Sequence, residues 1–394
     1  MRYLLVLLFV IMSLSASTQP EIQKKFQTLF ISAQNGSVIE LPEGNFTLTI
    51  SLWLDGKNDV TIKGQGMDKT TLNFTNQLSG AEGIKVTNGA NILIQDLTVQ
   101  DTKGDGIKTQ LVDGISFKNV KTEWTRGANS KNGGYGIYPV QCTNVLIDSC
   151  EARGASDAGI YVGQSKYIIV RNSKASENVA GIEIENSLYA DVYNNEATNN
   201  TGGLLVFDLP DLIQKKGGFV RVYNNNIHNN NHMNFAPKGN IVGKVPLGTG
   251  LMIMATNNVE VFNNKVINNI TTGTAILSYY ISENPIKDSA YYPYPTQINI
   301  HDNMYERPNV RATMKGRMGK IFRFKLRFGK KVPHIIYDGI IDKNNPPKIC
   351  IRNNSNMSFA NMDAANKFRN VSRNASAYDC SLPSLAPAEI KRTN

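Results

Sequence analysis

Four side chains with the functional groups of an acid–base site recur along the chain at intervals of 22 to 30 residues. They are Lys108, Tyr138, Tyr161 and Glu183. A lysine ammonium can neutralise a carboxylate, while a tyrosine or a glutamate can take up or return a proton. A lysine or tyrosine can serve as a base when cationic neighbours lower its pKa. We treat these four residues as the catalytic candidates, for a reaction that removes a proton beside a substrate carboxylate.

Further polar side chains that could hold a substrate accompany the catalytic candidates. One precedes Lys108 by 23 residues, and the others lie three positions after the matching residue of four successive segments. The predicted substrate-binding residues are Lys85, Gln141, Gln164, Asn186 and Asp208.

This spacing comes from an internal repeat. Each repeat begins with a glycine and an alternating strand, and continues with a second strand that ends at an asparagine-like residue. The glycines are Gly83, Gly106, Gly136, Gly159, Gly181, Gly203 and Gly250. The strand-ending residues are Asp96, Asn119, Ser149, Asn172, Asn194, Asn224, Asn263 and Asp302.

The strand-ending residues are 23, 30, 23, 22, 30, 39 and 39 residues apart, so the basic unit has 22 or 23 residues with loops inserted into some turns. Period-2 alternation rich in Ile, Val and Tyr indicates strands, and Asn and Gly tolerate the left-handed backbone of tight corners. Propeller blades need more residues than this unit has. We therefore predict an all-β fold, a right-handed parallel β-helix solenoid of about ten coils.

The predicted register decides which residues share a face. If Ile107, Ile137, Ile160, Ile182 and Leu204 point inward, the residue after each one points outward. The catalytic candidates then form one outward column, with neighbours about 4.8 Å apart. This spacing is close to the length of a sugar residue, so a column of this kind suits a linear polysaccharide. Stacked polar and aromatic ladders can also stabilise coils without binding a ligand.

Five stretches resemble the pectin-lyase-like right-handed β-helix proteins, particularly secreted bacterial β-helix repeat proteins. They are residues 101–108, 135–140, 156–165, 206–210 and 235–240. The resemblance, which is distant for the β-helix polysaccharide lyases and alginate C5-epimerases, implies the fold and an anionic polysaccharide or cell-surface glycan as partner. A shared fold does not imply one reaction.

The sequence departs from the catalytic motifs expected in such enzymes. Epimerases of this class carry Asp-Pro-His-Asp or Asp-Pro-His-Glu after a Tyr-Gly pair, whereas Tyr135–Gly136 is followed by Ile137 and then Tyr-Pro-Val-Gln. The paired Asp and His-Gly pattern of polygalacturonases and the Arg-rich strand of calcium-dependent pectate lyases are also missing from the sequence. An active site here would need a base and an acid from other positions.

The chain divides into five regions. Residues 1–17 have the charge, apolar run and small residues of a cleavable signal peptide, which predicts a secreted or periplasmic protein. Residues 18–59 form the N-terminal cap and first coil, with a short helix over residues 23–33. Residues 60–310 contain the repeats, residues 311–334 a basic segment, and residues 335–394 a C-terminal cap with a disordered tail.

Export permits disulfide bonds among the four cysteines. We prefer a bond between Cys350 and Cys380, because it would close an irregular C-terminal region; buried thiols are the alternative. Cys142 and Cys150 either pair locally or stay reduced.

The positive charge is concentrated in one segment. The formal net charge is +10, and residues 311–331 contain nine Lys and Arg residues and no acid. Alternation of Phe322, Phe324, Leu326 and Phe328 with cations predicts a strand there. It would be either an edge strand protected by its charges or a patch for an anionic polymer or membrane surface.

Two functional hypotheses follow. The first is an exported, monomeric β-helix protein that binds an anionic polysaccharide along the outward column and modifies it by lyase or epimerase chemistry. The second is a noncatalytic surface or structural solenoid that binds glycans or proteins through its loops and basic segment. We expect no transmembrane segment, no nucleic acid partner and no cofactor. Calcium would have to bind Asp101, Asp105 and Asp157, for which turn capping is the commoner role.

Overall fold

A computed structural model describes residues 19–312, 314 and 319–390. Within these residues the chain forms 28 β-strands and one α-helix, α1 (Gln19–Ser32), and neighbouring strands pair in parallel. The predicted signal peptide lies outside the described residues. None of the described helices is long and apolar enough to cross a membrane.

The strands are mostly short, as the repeat length requires. In chain order they are β1 (Val38–Glu40), β2 (Gly44–Thr47), β3 (Ile50–Asp55), β4 (Thr61–Lys63), β5 (Thr70–Asn73), β6 (Ser79–Gln100), β7 (Ile107–Glu123), β8 (Tyr135–Val140), β9 (Thr143–Asp148), β10 (Glu151–Arg153), β11 (Ala158–Gly163), β12 (Lys166–Arg171), β13 (Lys174–Ser176), β14 (Ala180–Glu185), β15 (Leu188–Tyr193), β16 (Glu196–Thr198), β17 (Gly202–Phe207), β18 (Gly218–Tyr223), β19 (Asn226–His228), β20 (Thr249–Met254), β21 (Asn257–Phe262), β22 (Lys265–Ile267), β23 (Thr272–Leu277), β24 (Thr296–His301), β25 (Met304–Glu306), β26 (Ile335–Tyr337), β27 (Ile349–Arg352) and β28 (Phe359–Asn361). Short 3-10 helices span Ile241–Lys244, Tyr279–Ser282, Ala364–Asn366 and Ala375–Tyr378, and a π-helical turn spans Ile321–Lys325.

Each coil contributes a strand to three parallel sheets, and β6 and β7 pass through all three. The first sheet stacks β3, β6, β7, β8, β11, β14, β17, β20, β23, β26 and β28. The second stacks β1, β4, β6, β7, β9, β12, β15, β18, β21, β24 and β27. The third stacks β2, β5, β6, β7, β10, β13, β16, β19, β22 and β25. The prediction of a right-handed parallel β-helix with about ten coils is confirmed.

The core is a single apolar column inside the three sheets. Ile107, Ile137, Ile160, Ile182 and Leu204 are all fully buried and lie in register on neighbouring strands, as predicted. Each coil buries its apolar face against the next coil, so the interior is dry along its length.

The corners of the coils have the predicted backbone. All eight strand-ending residues adopt positive φ, from 52° at Asn119 to 60° at Asp96. Asn and Asp accept this left-handed conformation more readily than most other residues with a side chain. The Asn-rich composition is therefore a direct consequence of the number of corners.

Two ladders of buried asparagines add a second use for this residue type. The Nδ2 of Asn200 donates to the carbonyl of Ala175 at 2.9 Å, while its Oδ1 accepts the backbone N–H of Asn178 at 3.0 Å. The same pattern repeats from coil to coil, so each amide satisfies the buried backbone of the previous coil. One ladder contains Asn178, Asn200, Asn230 and Asn269, and the other contains Asn195, Asn225, Asn264, Asn303 and Asn354.

Helix α1 caps the N-terminal end of the core, close to the predicted residues 23–33. Its residues Phe26 and Phe30 are buried in the core. Gln23 Oε1 accepts the backbone N–H groups of Thr49 and Ile50 at 2.8 and 3.2 Å. The helix therefore covers apolar surface and satisfies edge donors that would otherwise stay open to another chain.

The predicted disulfide between Cys350 and Cys380 is confirmed. Cys142 and Cys150 are free, buried thiols. Burial raises the pKa of Cys142 to about 11 and that of Cys150 to about 12, so both stay protonated and unreactive at neutral pH.

The predicted strand in the basic segment is wrong. Residues 319–325 are helical, and Leu326 N–H donates to the carbonyl of Ile321 at 2.8 Å in a π-type turn. Phe322, Leu326 and Phe328 are buried, whereas Phe324 is 74% exposed. Lys315 and Arg317, in the same segment, lie outside the described residues.

The prediction of a disordered C-terminal tail is also wrong for its described part. Residues 381–390 lie in an extended conformation against the second sheet, and the N–H of Leu385 donates to Glu260 Oε2 at 3.0 Å. Two prolines prevent this segment from forming a helix but not from lying along a sheet.

Candidate functional site

The catalytic candidates share one outward column on the first sheet, as predicted. Lys85 pairs with Lys108, which pairs with Tyr138, and Tyr161 pairs with Glu183 in the following coils. Trp53 extends the column by one coil towards the N-terminus because it pairs with Lys85. The repeat thus brings together side chains that are far apart in the sequence.

Inserted loops cover the second half of this column, so the expectation of one long open strip is wrong. Tyr161 is only 4% exposed and Glu183 only 1% exposed. Val242 of the loop over residues 229–248 and Tyr291 of the loop over residues 278–295 pack into the same apolar cluster as Tyr161. The accessible part of the column consists of Trp53, Lys85, Lys108 and Tyr138, which we call the open strip.

The open strip combines aromatic rings with ammonium groups. Trp53 is 54% exposed, and Lys85 Nζ lies 5.9 Å from the centre of its ring. Lys108 Nζ lies 4.9 Å from the ring centre of Tyr138. These cation–π contacts hold the positive charges close to flat apolar faces. The open strip can therefore stack against a ring and pair with an anion at the same time.

Three tyrosines pack together where the open strip meets the loops. The ring centre of Tyr135 lies 4.5 Å from that of Tyr138 and 4.4 Å from that of Tyr161. Burial, reinforced by nearby carboxylates, raises the pKa of all three phenols above the ordinary value. The idea that cationic neighbours lower the pKa of Tyr138 or Tyr161 is therefore wrong. These phenols stay neutral and act as hydrogen-bond donors.

Two carboxyl groups flank Gly134 beside the tyrosine cluster. A side chain added at Gly134 would place its Cβ 3.5 Å from Asp105 Oδ1 and 3.9 Å from the Cβ of Asp157. Burial raises the pKa of Asp105 to about 6. Burial, together with the charge of Asp105, raises the pKa of Asp157 to about 7. The glycine leaves a gap between two carboxyls that titrate near neutral pH.

Tyr135 and Asn240 position the two carboxyls. The backbone N–H of Tyr135 donates to Asp105 Oδ1 at 3.2 Å, and the Tyr135 side chain hydrogen-bonds to Asp157. Asn240, from the loop over residues 229–248, donates from Nδ2 to Asp157 Oδ2 at 2.8 Å. The loop therefore forms one wall of the site as well as covering the column.

Further carboxyls lie buried behind the tyrosines. Tyr161 donates to Glu185 Oε1 at 2.6 Å, and burial raises the pKa of Glu185 to about 7. Burial and the neighbouring charges also raise the pKa of Glu183, and its Oε2 is buried without a hydrogen-bond partner. These groups form the floor of the site, and a substrate on the open strip does not reach them.

The predicted substrate-binding residues other than Lys85 lie at a corner or beneath a loop. Gln141, Gln164 and Asn186 occupy positive-φ corners. Gln164 Oε1 accepts the N–H of Ile213 at 3.0 Å, and Asn186 is completely buried against the loop over residues 208–217. Buried Asp208 begins this loop, and its Oδ2 accepts the N–H of Gly217 at 2.7 Å. Because alternation ends at the corner, these residues do not form a second outward column; Gln164, Asn186 and Asp208 brace the loop.

Sequence reasoning did not place Asp105, Asp157 and Asn240 in the site. The aspartates were considered only as calcium ligands or turn caps, although each directly precedes a first-sheet strand, as Asp105-Gly-Ile and Asp157-Ala-Gly-Ile. That position in the repeat was the available signal. Asp101 does act as a turn cap, since its Oδ1 accepts the N–H of Thr125 at 2.8 Å. Across the described part of the chain, no group of three or more His, Cys, Asp or Glu side chains is placed to hold a metal ion.

Comparisons with known proteins agree with this architecture. A family model described as a right handed beta helix region matches residues 113–286. The A-module of the mannuronan C-5 epimerase AlgE4 from Azotobacter vinelandii matches with a TM-score of 0.51 and 14% identity, over 85% of this chain and 90% of that one. PfbA, a surface adhesin of Streptococcus pneumoniae, matches with a TM-score of 0.50 and 13% identity, over 81% of this chain and 79% of that one. No curated protein matches by sequence. The chain is a right-handed parallel β-helix protein of the pectin-lyase-like type.

Proposed function

We propose that this protein is exported, binds an anionic polysaccharide along the open strip and modifies it by elimination or epimerisation at Asp105 and Asp157. The observation that carries the proposal is the pair of carboxyls around Gly134, at the inner end of a strip of lysines and aromatic rings. The similarity to an epimerase and an adhesin supports the choice of a glycan only through the shared fold.

The open strip has the chemistry of a site for acidic sugars. Four coils at a spacing of about 4.8 Å span roughly 14 Å, which matches a short stretch of a sugar chain. Trp53 and Tyr138 offer ring faces for sugar rings, and Lys85 and Lys108 offer ammonium groups for uronate carboxylates. The loop wall at Asn240 closes the inner end, so the strip receives a chain from one direction.

The carboxyl pair can supply the base and the acid. Between pH 6 and 7, Asp105 is mainly ionised and Asp157 mainly protonated. Asp105 would take the proton from the carbon beside the uronate carboxylate, while Lys108 offsets the negative charge that develops.

The fate of the electron pair separates the two reactions. In elimination the pair left on carbon forms a double bond as the glycosidic C–O bond breaks, and Asp157 protonates the departing oxygen. In epimerisation Asp157 returns a proton to the opposite face of the same carbon, and the chain stays intact. Both reactions balance without an external oxidant or reductant.

The raised pKa values also make the site compatible with an anionic ligand. Since burial raises the pKa of Asp157, Glu185 and Asp208 to about 7, much of this cluster is uncharged below neutral pH. The ammonium groups of Lys85 and Lys108 then dominate the field at the entrance.

The test is a panel of polyuronates and neutral glycans, with and without added calcium. Ultraviolet absorbance reports unsaturated products, proton NMR reports epimerised residues, and calorimetry reports binding. We expect binding of a polyuronate and one of the two product signals, with the product lost in Asp105→Asn and in Asp157→Asn. Asp68→Asn, an exposed carboxylate outside the site, is the matched control. Binding without product would remove the catalytic part of the proposal, and no binding of any polyuronate would remove all of it.

A second candidate function rests on the basic segment. Phe324 is exposed among six exposed cations, which favours contact with an anionic polymer and needs no catalysis. The cations are Lys320, Arg323, Lys325, Arg327, Lys330 and Lys331. Binding that is lost in Lys320→Glu with Lys330→Glu, but kept in Lys108→Ala, would favour this noncatalytic function.

A further inference from the structure

The outer face of the second sheet carries a polar column that is separate from the site on the first sheet. Its members are paired in register on five strands, from β15 to β27. They are Asp191, Arg221, Glu260, Asn299 and Cys350.

The C-terminal segment lies on this column and runs from the later coils towards the earlier ones. The disulfide from Cys380 to Cys350 fixes its start. Leu385 then donates its N–H to Glu260 Oε2 at 3.0 Å, and the backbone of Ala388 hydrogen-bonds to Asp191. We call residues 381–390 the tail strap.

The tail strap has the period of a polyproline II helix. Its half-buried residues include Leu382, Leu385 and Ala388, at intervals of three, whereas Pro383 and Pro387 are exposed. Polyproline II has three residues per turn, so every third residue faces the same side. The prolines, which have no N–H, stand at positions that face solvent, and the N–H groups of Leu385 and Ala388 face the carboxylates.

The two repeats are commensurate in length. Three polyproline II residues advance about 9.3 Å. Glu260 and Asp191 lie two coils apart, which is about 9.6 Å at the usual strand spacing. One turn of the tail strap therefore matches two coils of the solenoid, and the acceptor at every second coil meets a donor at every third tail residue.

A wall of stacked aromatic rings runs beside the polar column. Tyr193, Tyr223, Phe262 and His301 each follow a column residue by two positions, and their ring centres are 4.8 to 5.4 Å apart. Grooves lined by aromatic rings are a common means of recognising polyproline II segments.

The column also has hydrogen-bonding groups that the tail strap leaves unused. Asn299 has both side-chain polar atoms buried without a partner, as does Asp191 at Oδ1 and Arg221 at Nε. The groove therefore has more capacity to bind an extended backbone than this segment uses.

We propose that the outer face of the second sheet is a binding groove for polyproline II segments, and that the tail strap is its ligand within the same chain. A partner for this groove is an extended, proline-containing segment with free N–H groups at every third residue. Such a segment, in a second copy or in another protein, binds by displacing the tail strap.

The test uses full-length chains and a fluorescent synthetic peptide of residues 381–394. Leu385→Pro with Ala388→Pro removes both donors while keeping polyproline II geometry, and so frees the groove. The matched control, Ser384→Pro with Ala386→Pro, places two prolines at exposed positions. We expect the peptide to bind the donor-less chain at least tenfold more tightly than it binds the wild type or the control.

Two results would overturn the proposal. One is failure of the peptide to bind the donor-less chain while circular dichroism and the melting temperature show that this chain is folded. The other is equal binding to all three chains, which would place the peptide elsewhere. In the wild type, NMR should also show slower amide exchange at Leu385 and Ala388 than at Ser384 and Ala386; equal exchange at all four would contradict the register independently of any variant.

Discussion

Asn240 donates from Nδ2 to Asp157 Oδ2 at 2.8 Å, although 83 residues separate them in the sequence. This bond connects an inserted loop to the carboxyl that we assign as the acid. It favours the ionised carboxylate, so it lowers the pKa of Asp157 against the effect of burial.

Removing this bond should move the pH dependence of activity. In Asn240→Ala the pKa of Asp157 rises above its present value of about 7, so the protonated acid persists to higher pH. The alkaline limb of the pH–rate profile should shift upward, while the acidic limb, set by Asp105 with its pKa of about 6, moves little. Asn226→Ala, on an exposed asparagine of the third sheet, should leave both limbs unchanged. An unshifted alkaline limb in Asn240→Ala would remove Asp157 as the acid.

Filling the gap between the carboxyls should reduce turnover without unfolding the protein. The added Cβ in Gly134→Ala meets its neighbours at ordinary contact distances, so the melting temperature should change little. We expect at least a tenfold loss in kcat, because the methyl group occupies the space where the reacting carbon must lie. Gly243→Ala, which also has room for its Cβ, is the control and should keep full activity. Wild-type kcat in Gly134→Ala would mean that the reaction occurs elsewhere.

The two tyrosines of the column should behave differently. Tyr138→Ala removes a ring of the open strip and should weaken polyuronate binding by about threefold to tenfold. Tyr161→Ala instead removes a buried ring from the loop cluster and should cost about 3 to 5 kcal/mol of stability, by analogy with other buried aromatic residues. Calorimetry and thermal unfolding separate the two effects. Tyr189→Ala, a partly exposed ring on the second sheet, is the binding control.

The buried carboxyls should make the protein more stable in acid than at neutral pH. Burial raises the pKa of Asp208 and of Glu185 to about 7 in the folded state, while the unfolded chain has ordinary values near 4. The folded state therefore holds more protons between pH 4 and 7, and its stability falls as the pH rises through this window. Melting temperatures from pH 4 to 8 should show this decline. Asp208→Asn should flatten it; the same slope in this variant would contradict the assignment.

An asparagine ladder should resist substitution in its middle. Asn230 Oδ1 accepts the N–H of Asn200 at 3.1 Å, and its Nδ2 donates to the carbonyl of Ala197 at 2.9 Å. Asn230→Ala leaves both backbone groups buried and unpaired, which should cost roughly 1 to 3 kcal/mol for each group. Chemical denaturation measures this loss. Exposed Asn226→Ala should change the stability by less than about 0.5 kcal/mol.

The fold was largely readable from the sequence because its signals are local. Period-2 alternation decides which face of a strand is buried, and Asn or Asp at a corner reflects the left-handed backbone of that one residue, as at Asp96 and Asn119. A regular solenoid repeats these local choices, so in-register residues such as Lys85, Lys108 and Tyr138 could be placed in one column from the numbering. The Cys350–Cys380 bond was predicted from its place in an irregular region.

Local patterns also misled where the chain leaves the repeat. In the basic segment, Phe322 and Leu326 are buried four residues apart on a helical turn, although the same sequence alternates as a strand would. The tail was taken as disordered because of its prolines, yet those prolines suit the extended conformation that lies on the second sheet.

The accessible surface depended on contacts that no local pattern encodes. Loop length was visible in the uneven repeat, but loop direction follows from bonds such as Gln164 to Ile213 and Asn240 to Asp157, which join residues tens of positions apart. These contacts bury Tyr161 and Glu183 and leave Lys108 and Tyr138 accessible. Asp105 and Asp157 approach each other only because successive coils stack on both sides of Gly134. Strand alternation and corner residues thus established the solenoid, while long-range packing of its insertions determined which part of its surface can meet a substrate.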